Sequence, residues 1–348
     1  MKTRRRTPGR TWTTLTVTCA CLLAPFAARA QTPTFVVDRL VMAGAPDDGI
    51  AVWRPDVAVQ TRFFGQLGLG VAWNPLRVSN YIDNLDNYSK VSGNPLTRQV
   101  ITYANAGVEL LGRVSLQVAF PCIVNQAGNP TLASPEQTSI SPASAAAGDV
   151  RIEGRIILVR SESRAFKAAV NAAVYLPTGD RFAYAGDAGA GAVFGVAMEY
   201  DAKLVAVTVN AAYRLRPTVV LNELPVSDEL DYGLGVYVPL REGTVRLGAE
   251  LFGAFGVNPT KYPVYNSAPP GQNPKSNVGD LDATPLEWML NGRMFFTAER
   301  QVYAGLGAGT RLTGGFAPDF RAVAVVGGSF GISNRGAGSQ TGHPMAAE

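Results

Sequence analysis

The side chains that most often carry catalysis are thinly spread in this 348-residue chain. Its one histidine, His343, sits in the terminal run SNRGAGSQTGHPMAAE, remote from any patterned segment. A serine or water nucleophile therefore lacks its usual activating base, and zinc or copper lacks a ligand set. Two glycine-rich pieces, Gly186–Gly191 and Gly305–Gly309, invite a phosphate-loop reading. The G-x-G-x-x-G spacing is missing, and alternating rather than helical segments follow. Asp180 and Asp187 bracket a turn and could join a calcium site, but aspartates in turns more often hydrogen-bond their own backbone. Asp47-Asp48 reads the same way. The expectation is a protein that is not an enzyme, with no cofactor and no metal.

Export is legible at the start of the chain. Lys2, Arg4, Arg5, Arg6 and Arg10 form a basic region, an apolar run spans Leu15 to Ala28, and Ala28-Arg29-Ala30 offers a cleavage site. That is the layout of a secretory signal peptide over residues 1–30, too short in its apolar part to cross a membrane. These thirty residues hold six of the 31 basic residues and none of the 27 acidic ones, so the remainder carries a net charge of about −2. The basic balance belongs to the export signal, and nucleic acid is not an expected partner. Of the three cysteines only Cys122 lies beyond the signal, which gives no disulfide framework.

Beyond residue 61 the pattern has period two, not 3.6. Phe63, Leu67, Leu69, Val71 and Trp73 alternate with Gln66, Gly68, Gly70 and Ala72. Phe166, Ala168, Val170, Ala172 and Val174 alternate with Lys167, Asn171 and Tyr175. Continued along the chain, this predicts twelve strands near residues 62–74, 98–111, 113–124, 149–160, 164–176, 189–200, 203–216, 229–240, 244–257, 285–297, 301–313 and 320–332. Most exceed ten residues, long for a soluble sandwich and suited to a tilted membrane strand. The connections alternate between long (75–97, 125–148, 177–188, 217–228, 258–284, 314–319) and tight. An even strand count with both ends of the barrel on the tight-turn side predicts an all-β fold, a single transmembrane antiparallel up-and-down β-barrel with long extracellular loops and tight periplasmic turns. The expected organisation is a signal peptide (1–30), a periplasmic N-terminal segment (31–61), an outer-membrane barrel (62–332) and a flexible tail (333–348).

One face of each strand is nearly all apolar, while the other carries isolated polar residues among Gly and Ala. The first face suits lipid and the second suits a lumen, and Trp73 and Trp288 fall where interfacial girdles belong. The candidate lumen-lining residues are Gln66, Asn105, Glu109, Gln117, Arg151, Glu153, Arg155, Lys167, Asn171, Asn210, Arg214, Glu250, Glu287, Asn291, Arg293, Arg311 and Arg321, with Glu199 among the same inward positions. Their signs are mixed. They line either a polar path for solute or a set of cross-strand ion pairs that fill the barrel.

FVVDRL (Phe35–Leu40), VYLPTGDRFAYAGD (Val174–Asp187) and TPLEWMLNGRM (Thr284–Met294) resemble segments of the barrel in myxobacterial OmpA-type outer-membrane proteins. The resemblance runs from about Phe35 to Ile332. It implies an N-terminal segment ahead of the barrel. It also implies thrombospondin type 3-like repeats and a peptidoglycan-binding domain after it, for which this sequence, ending at Glu348, has no counterpart; peptidoglycan is therefore not an expected partner. The expected partners are outer-membrane lipid, the barrel-assembly machinery and small polar solutes. The function expected is a porin-like passive channel, against a non-conducting structural or surface-binding barrel and, in another class, a secreted soluble β-sandwich.

Overall fold

The computed structural model describes residues 34–84, 87–128, 143–221, 224–257, 284–297, 300–313 and 316–331. The expected export signal, the tail with His343, and most of the connections 125–148 and 258–284 lie outside the described residues. Twelve long strands make the wall: β1 (Arg62–Asn84), β2 (Asn87–Leu110), β3 (Val114–Ala127), β4 (Val150–Arg160), β5 (Phe166–Leu176), β6 (Gly191–Asp201), β7 (Ala206–Leu215), β8 (Glu229–Leu240), β9 (Val245–Gly256), β10 (Leu286–Phe295), β11 (Val302–Arg311) and β12 (Phe320–Gly331). Each is antiparallel to its sequence neighbours, and β1 pairs with both β2 and β12, from Arg62 opposite Gly331 to Trp73 opposite Phe320. That last pairing closes the sheet into a transmembrane barrel with no free edge, as lipid demands of any strand that crosses it.

The period-two pattern decides which side each residue faces. Outward positions include Leu67, Phe194, Leu306 and Val326, all more than half exposed. Inward positions on the same strands carry Gln66, Gly195, Gly305 or Gly327, small or polar groups suited to a narrow interior. Aromatic pairs sit at the two ends of the β1–β12 seam: Phe63 stacks on Phe330 at 5.3 Å and Trp73 lies against Phe320 at 5.4 Å. Trp288, on β10, donates its indole N–H to Thr310 Oγ1 at 2.7 Å. Replacing Leu306, in the middle of β11, with arginine is expected to lower the stability of the lipid-inserted barrel by about 2–4 kcal/mol, the cost of a cation near the bilayer midplane. Urea titration of refolding into lipid vesicles measures it.

Tight turns join one end of the strand pairs. Leu111 and Gly112 both adopt positive φ (56° and 65°), a conformation the glycine takes without strain. At the other end the structure departs from expectation. The predicted loop 75–97 is for the most part strand, because β1 and β2 continue as a paired hairpin to Asn84 and Asn87. Register shifts after Trp73 and Leu76 absorb Pro75 and hide the alternation. Within 125–148, β3 runs on to Ala127 and Ala146–Ala147 pairs back onto Ile123 and Cys122. Within 217–228, Val219–Leu221 pairs with Leu224–Val226.

The largest departure concerns the N-terminal segment. Residues 34–61 do not precede the barrel on the tight-turn side; they run through its interior. Phe35, Val37, Leu40, Met42, Ile50, Val52 and Val57 are all buried there. The reason is physical: the segment is too apolar to lie in water, and it has no strand partner of its own. The barrel interior offers both burial and hydrogen-bond partners.

Candidate functional site

The segment enters at the long-connection end. Thr34 donates to the Arg181 carbonyl, and Phe35 is fully buried in a cap with Val37, Leu76, Leu96, Tyr184, Val226 and Phe316. From there the chain descends, turns at Ala45-Pro46-Asp47-Asp48-Gly49, closes a short hairpin by Ala43 N–H to the Ile50 carbonyl, and reaches β1 at the tight-turn end. Its described start thus lies at the opposite end of the barrel from the one expected. Tyr184 belongs to this cap, 5 % exposed; burial pushes its hydroxyl up to about 12. Beneath the cap Asp149 accepts the N–H groups of Gly179 and Asp187 at 2.8 Å each, and burial pushes its carboxyl above the usual range.

Within the lumen nearly every polar side chain of the wall grips the segment or a neighbour that does. Glu250 on β9 accepts three consecutive backbone N–H groups, Ile50 at 2.8 Å, Ala51 at 2.7 Å and Val52 at 3.1 Å, plus Asn291 Nδ2 at 2.6 Å. Gly49 packs so closely on Glu250 and Tyr237 that a Cβ would run into both. Glu199 on β6 holds Arg54 through two contacts, 2.6 and 2.9 Å, and also accepts Thr208 Oγ1 and Lys167 Nζ. Lys167 in turn pairs with Asp56 at 2.9 Å. Glu109 accepts from Ala58 N–H and pairs with Arg62. On β12, Arg321 bridges Glu287 at 2.7 Å and Asp38 at 2.6 Å, and Asp38 also accepts Tyr103 Oη–H at 2.5 Å.

The remaining candidates fall into the same network or beside it. Gln66 donates to the Ala43 carbonyl and accepts from Tyr303. Glu153 gathers Arg155, Arg151, Gln117 and Asn171, while Arg151 Nη2 reaches the Met42 carbonyl at 3.0 Å. Arg293 donates to carbonyls of the turn at 45–49. Asn105 lies against Gly44. Arg214 pairs with Asp231 at 2.9 Å. Arg311 is set apart: it pairs with Asp319 at 3.0 Å near the long-connection rim, partly exposed.

Buried charges of this kind offset their own desolvation only when matched and hydrogen-bonded. Among the described residues, six of the ion pairs join the segment to the wall, and the rest join residues of the wall and its connections to one another. The sequence marks Asp47-Asp48 as a turn, and Asp48 does accept the N–H groups of Ala45 and Arg54, but their arginine partners were not foreseen, nor were Arg54 on the segment and Arg246 and Glu229 on the wall. A signal for them exists: residues 34–61 hold Asp38, Asp47, Asp48 and Asp56 against Arg39 and Arg54, charges spaced through an otherwise apolar stretch. Such a stretch needs partners within a low-dielectric interior.

The segment does not fill the lumen. A cavity of about 110 Å³ remains between it and the β4–β9 wall, lined by Arg39, Trp53, Arg151, Asn171, Asn210 and Arg214 among others. That is room for several water molecules. Among the described residues, Asn171 and Asn210 each leave a buried Oδ1 with no hydrogen-bond partner there.

These features define a class: a twelve-stranded transmembrane barrel of the bacterial outer-membrane type, its lumen occupied by its own N-terminal segment. No family model and no curated protein matches the chain. Among solved structures it is similar to an outer membrane channel from Pseudomonas putida F1, with TM-score 0.55 at 13% identity, covering 79% of this chain and 97% of that one. It is also similar to the NanC porin (TM-score 0.45, 8% identity, 76% of this chain and 100% of that one). At such identities the likeness is one of fold.

Proposed function

We propose that this protein is a porin-like outer-membrane channel for small polar solutes whose lumen is held narrow by residues 34–61. The observation that carries the reading is the nature of the contact between segment and wall. Carboxylates, guanidinium groups and amides of the wall meet the segment at several levels of the barrel, between apolar clusters in which Leu40, Met42 and Ile50 join Ile101, Phe252 and Met289, and Val57 joins Ile157. With the segment withdrawn, these charged and amide side chains line a water-compatible path through the barrel. The segment is continuous with the barrel only at Thr61–Arg62, so it can move without breaking a strand pairing. In this reading lipid surrounds the barrel, the assembly machinery inserts it, and the chain performs no chemistry on its solute.

A non-conducting structural barrel is the second reading, favoured by the number of ionic grips. Liposome swelling separates the two. A chain lacking residues 34–58, once shown to migrate differently on gels before and after boiling, should admit arabinose several-fold faster than the full chain and exclude a tetrasaccharide. A folded deletion variant that admits no arabinose would overturn the channel reading.

A further inference from the structure

Four arginines converge on the turn at residues 45–49. Arg62 pairs with Asp47 at 2.7 Å and Arg155 with Asp48 at 2.7 Å. Both also have a carboxylate of the wall, Glu109 and Glu153. Arg246 and Arg293 differ. Among the described residues neither has a carboxylate at ion-pair distance, and both are more than nine-tenths buried. Arg246 donates to the carbonyls of Asp47 (2.7 Å) and Asp48; Arg293 donates to those of Ala45 (3.3 Å), Pro46 and Gly49 (3.2 Å). Five backbone carbonyls of one turn thus serve as their main acceptors.

The two arginines are also directly opposite each other on β9 and β10. Like charges placed so are destabilising, and the cost is largest in a low-dielectric interior. Tyr237 and Tyr303 back them, their ring centroids 5.4 and 4.6 Å from the two guanidinium carbons. A wall that needed only to hold a turn could do so with neutral donors such as Asn or Gln. Two forked cations, each with donors aimed at one point of the lumen, match the paired oxygens of a carboxylate or phosphate.

We infer that Arg246 and Arg293, flanked by Arg155 and Arg62, form a binding station for small polyvalent oxyanions, and that the turn Ala45–Gly49 occupies this station until such an anion replaces it. The inference rests on the channel reading insofar as the anion is a solute in transit. Anion and turn compete for the same donors, so an anion that binds only the vacated station shifts the segment outward by its binding free energy.

Trp53, stacked at 5.0 Å over Arg155, reports the segment's position. In the full chain carrying Trp12→Phe, Trp73→Phe and Trp288→Phe, acrylamide quenching of Trp53 is measured against citrate, pyrophosphate and potassium chloride at matched ionic strength. The Asp47→Asn, Asp48→Asn chain, in which the turn loses both its ion pairs, serves as the sensitised background. There, citrate or pyrophosphate should raise quenching several-fold where chloride does not; which of the two acts at lower concentration tells carboxylate from phosphate. Adding Arg246→Gln and Arg293→Gln should abolish the response at least tenfold in concentration. No response to either anion in the sensitised chain, or one unchanged by the glutamines, would overturn the station. Conductance recorded on the same proteins keeps the two readings apart. A chain that responds to citrate yet never conducts retains the station and loses the channel, and a chain that conducts without responding does the reverse.

Discussion

Replacing Glu250 by alanine is expected to turn a largely closed barrel into one that conducts steadily. Glu250 accepts the N–H groups of Ile50, Ala51 and Val52 together with Asn291 Nδ2, so its removal leaves four donors to be matched at once. A buried donor left unmatched costs about 1–3 kcal/mol. Water that follows the truncated side chain offsets part of this, leaving the held-in state poorer by on the order of 3 kcal/mol. That shift multiplies the released population more than a hundredfold, since every 1.36 kcal/mol is a factor of ten. Planar-bilayer recordings should show long openings where the full chain shows rare ones. Glu250→Gln, which keeps a carbonyl oxygen for two of the four donors, should fall between the two. If both variants stay as quiet as the unsubstituted chain, then the segment is not what closes the lumen.

The strands were legible because the lipid and the lumen impose opposite demands on alternate residues. Leu67 and Gln66 cannot exchange places, and that constraint writes a period of two into every strand. Tight turns such as Leu111-Gly112 were legible for the same reason: the pattern stops and resumes in phase. What could not be read was any contact set by chain tracing rather than by periodicity. Phe35 and Leu40 look alike whether they border a barrel or fill one. Asp47-Asp48 looks like any solvated turn until Arg62, Arg155, Arg246 and Arg293 are found around it. The wall residues were placed by phase alone, so Glu153, Arg155, Glu287 and Arg321 were identified as inward-facing while Asp38 on the segment, the other partner of Arg321, was not. Arg246 sits in the same phase on β9 as Glu250 and was missed, because a single charge next to a tight turn reads as a solvated end. The upper hairpin of β1 and β2 was lost to Pro75 and Pro95, which interrupt the alternation without ending the pairing.

Replacing Phe35 by alanine tests whether the segment leaves the lumen as one body. Phe35 has no exposure, packs edge-on against Phe316 at 5.4 Å, and is far along the barrel from Glu250. Truncating such a phenylalanine removes about 3–5 kcal/mol of packing. Two outcomes distinguish two mechanisms. If residues 34–57 move together, the loss appears in full in the release equilibrium, and Phe35→Ala should raise conductance as strongly as Glu250→Ala does. The two changes share no partner, so their free energies should add and their effects on the released population should multiply. If the segment instead frays from the cap downward, Phe35→Ala should expose the stretch near Arg39 to added protease while conductance stays at its original level. The grips below the cap favour the first result. Arg321 ties Asp38 to Glu287, Arg39 is tied to Glu229, and Arg54 to Glu199, so each part of the segment is fastened to a different strand. A partial withdrawal that separates Arg39 from Glu229 would leave the Arg39 guanidinium without its carboxylate while Glu229 kept only Arg216, an arrangement costlier than either end state. The intermediate is therefore disfavoured, and the segment should behave as a two-state gate whose position is set by the sum of its grips.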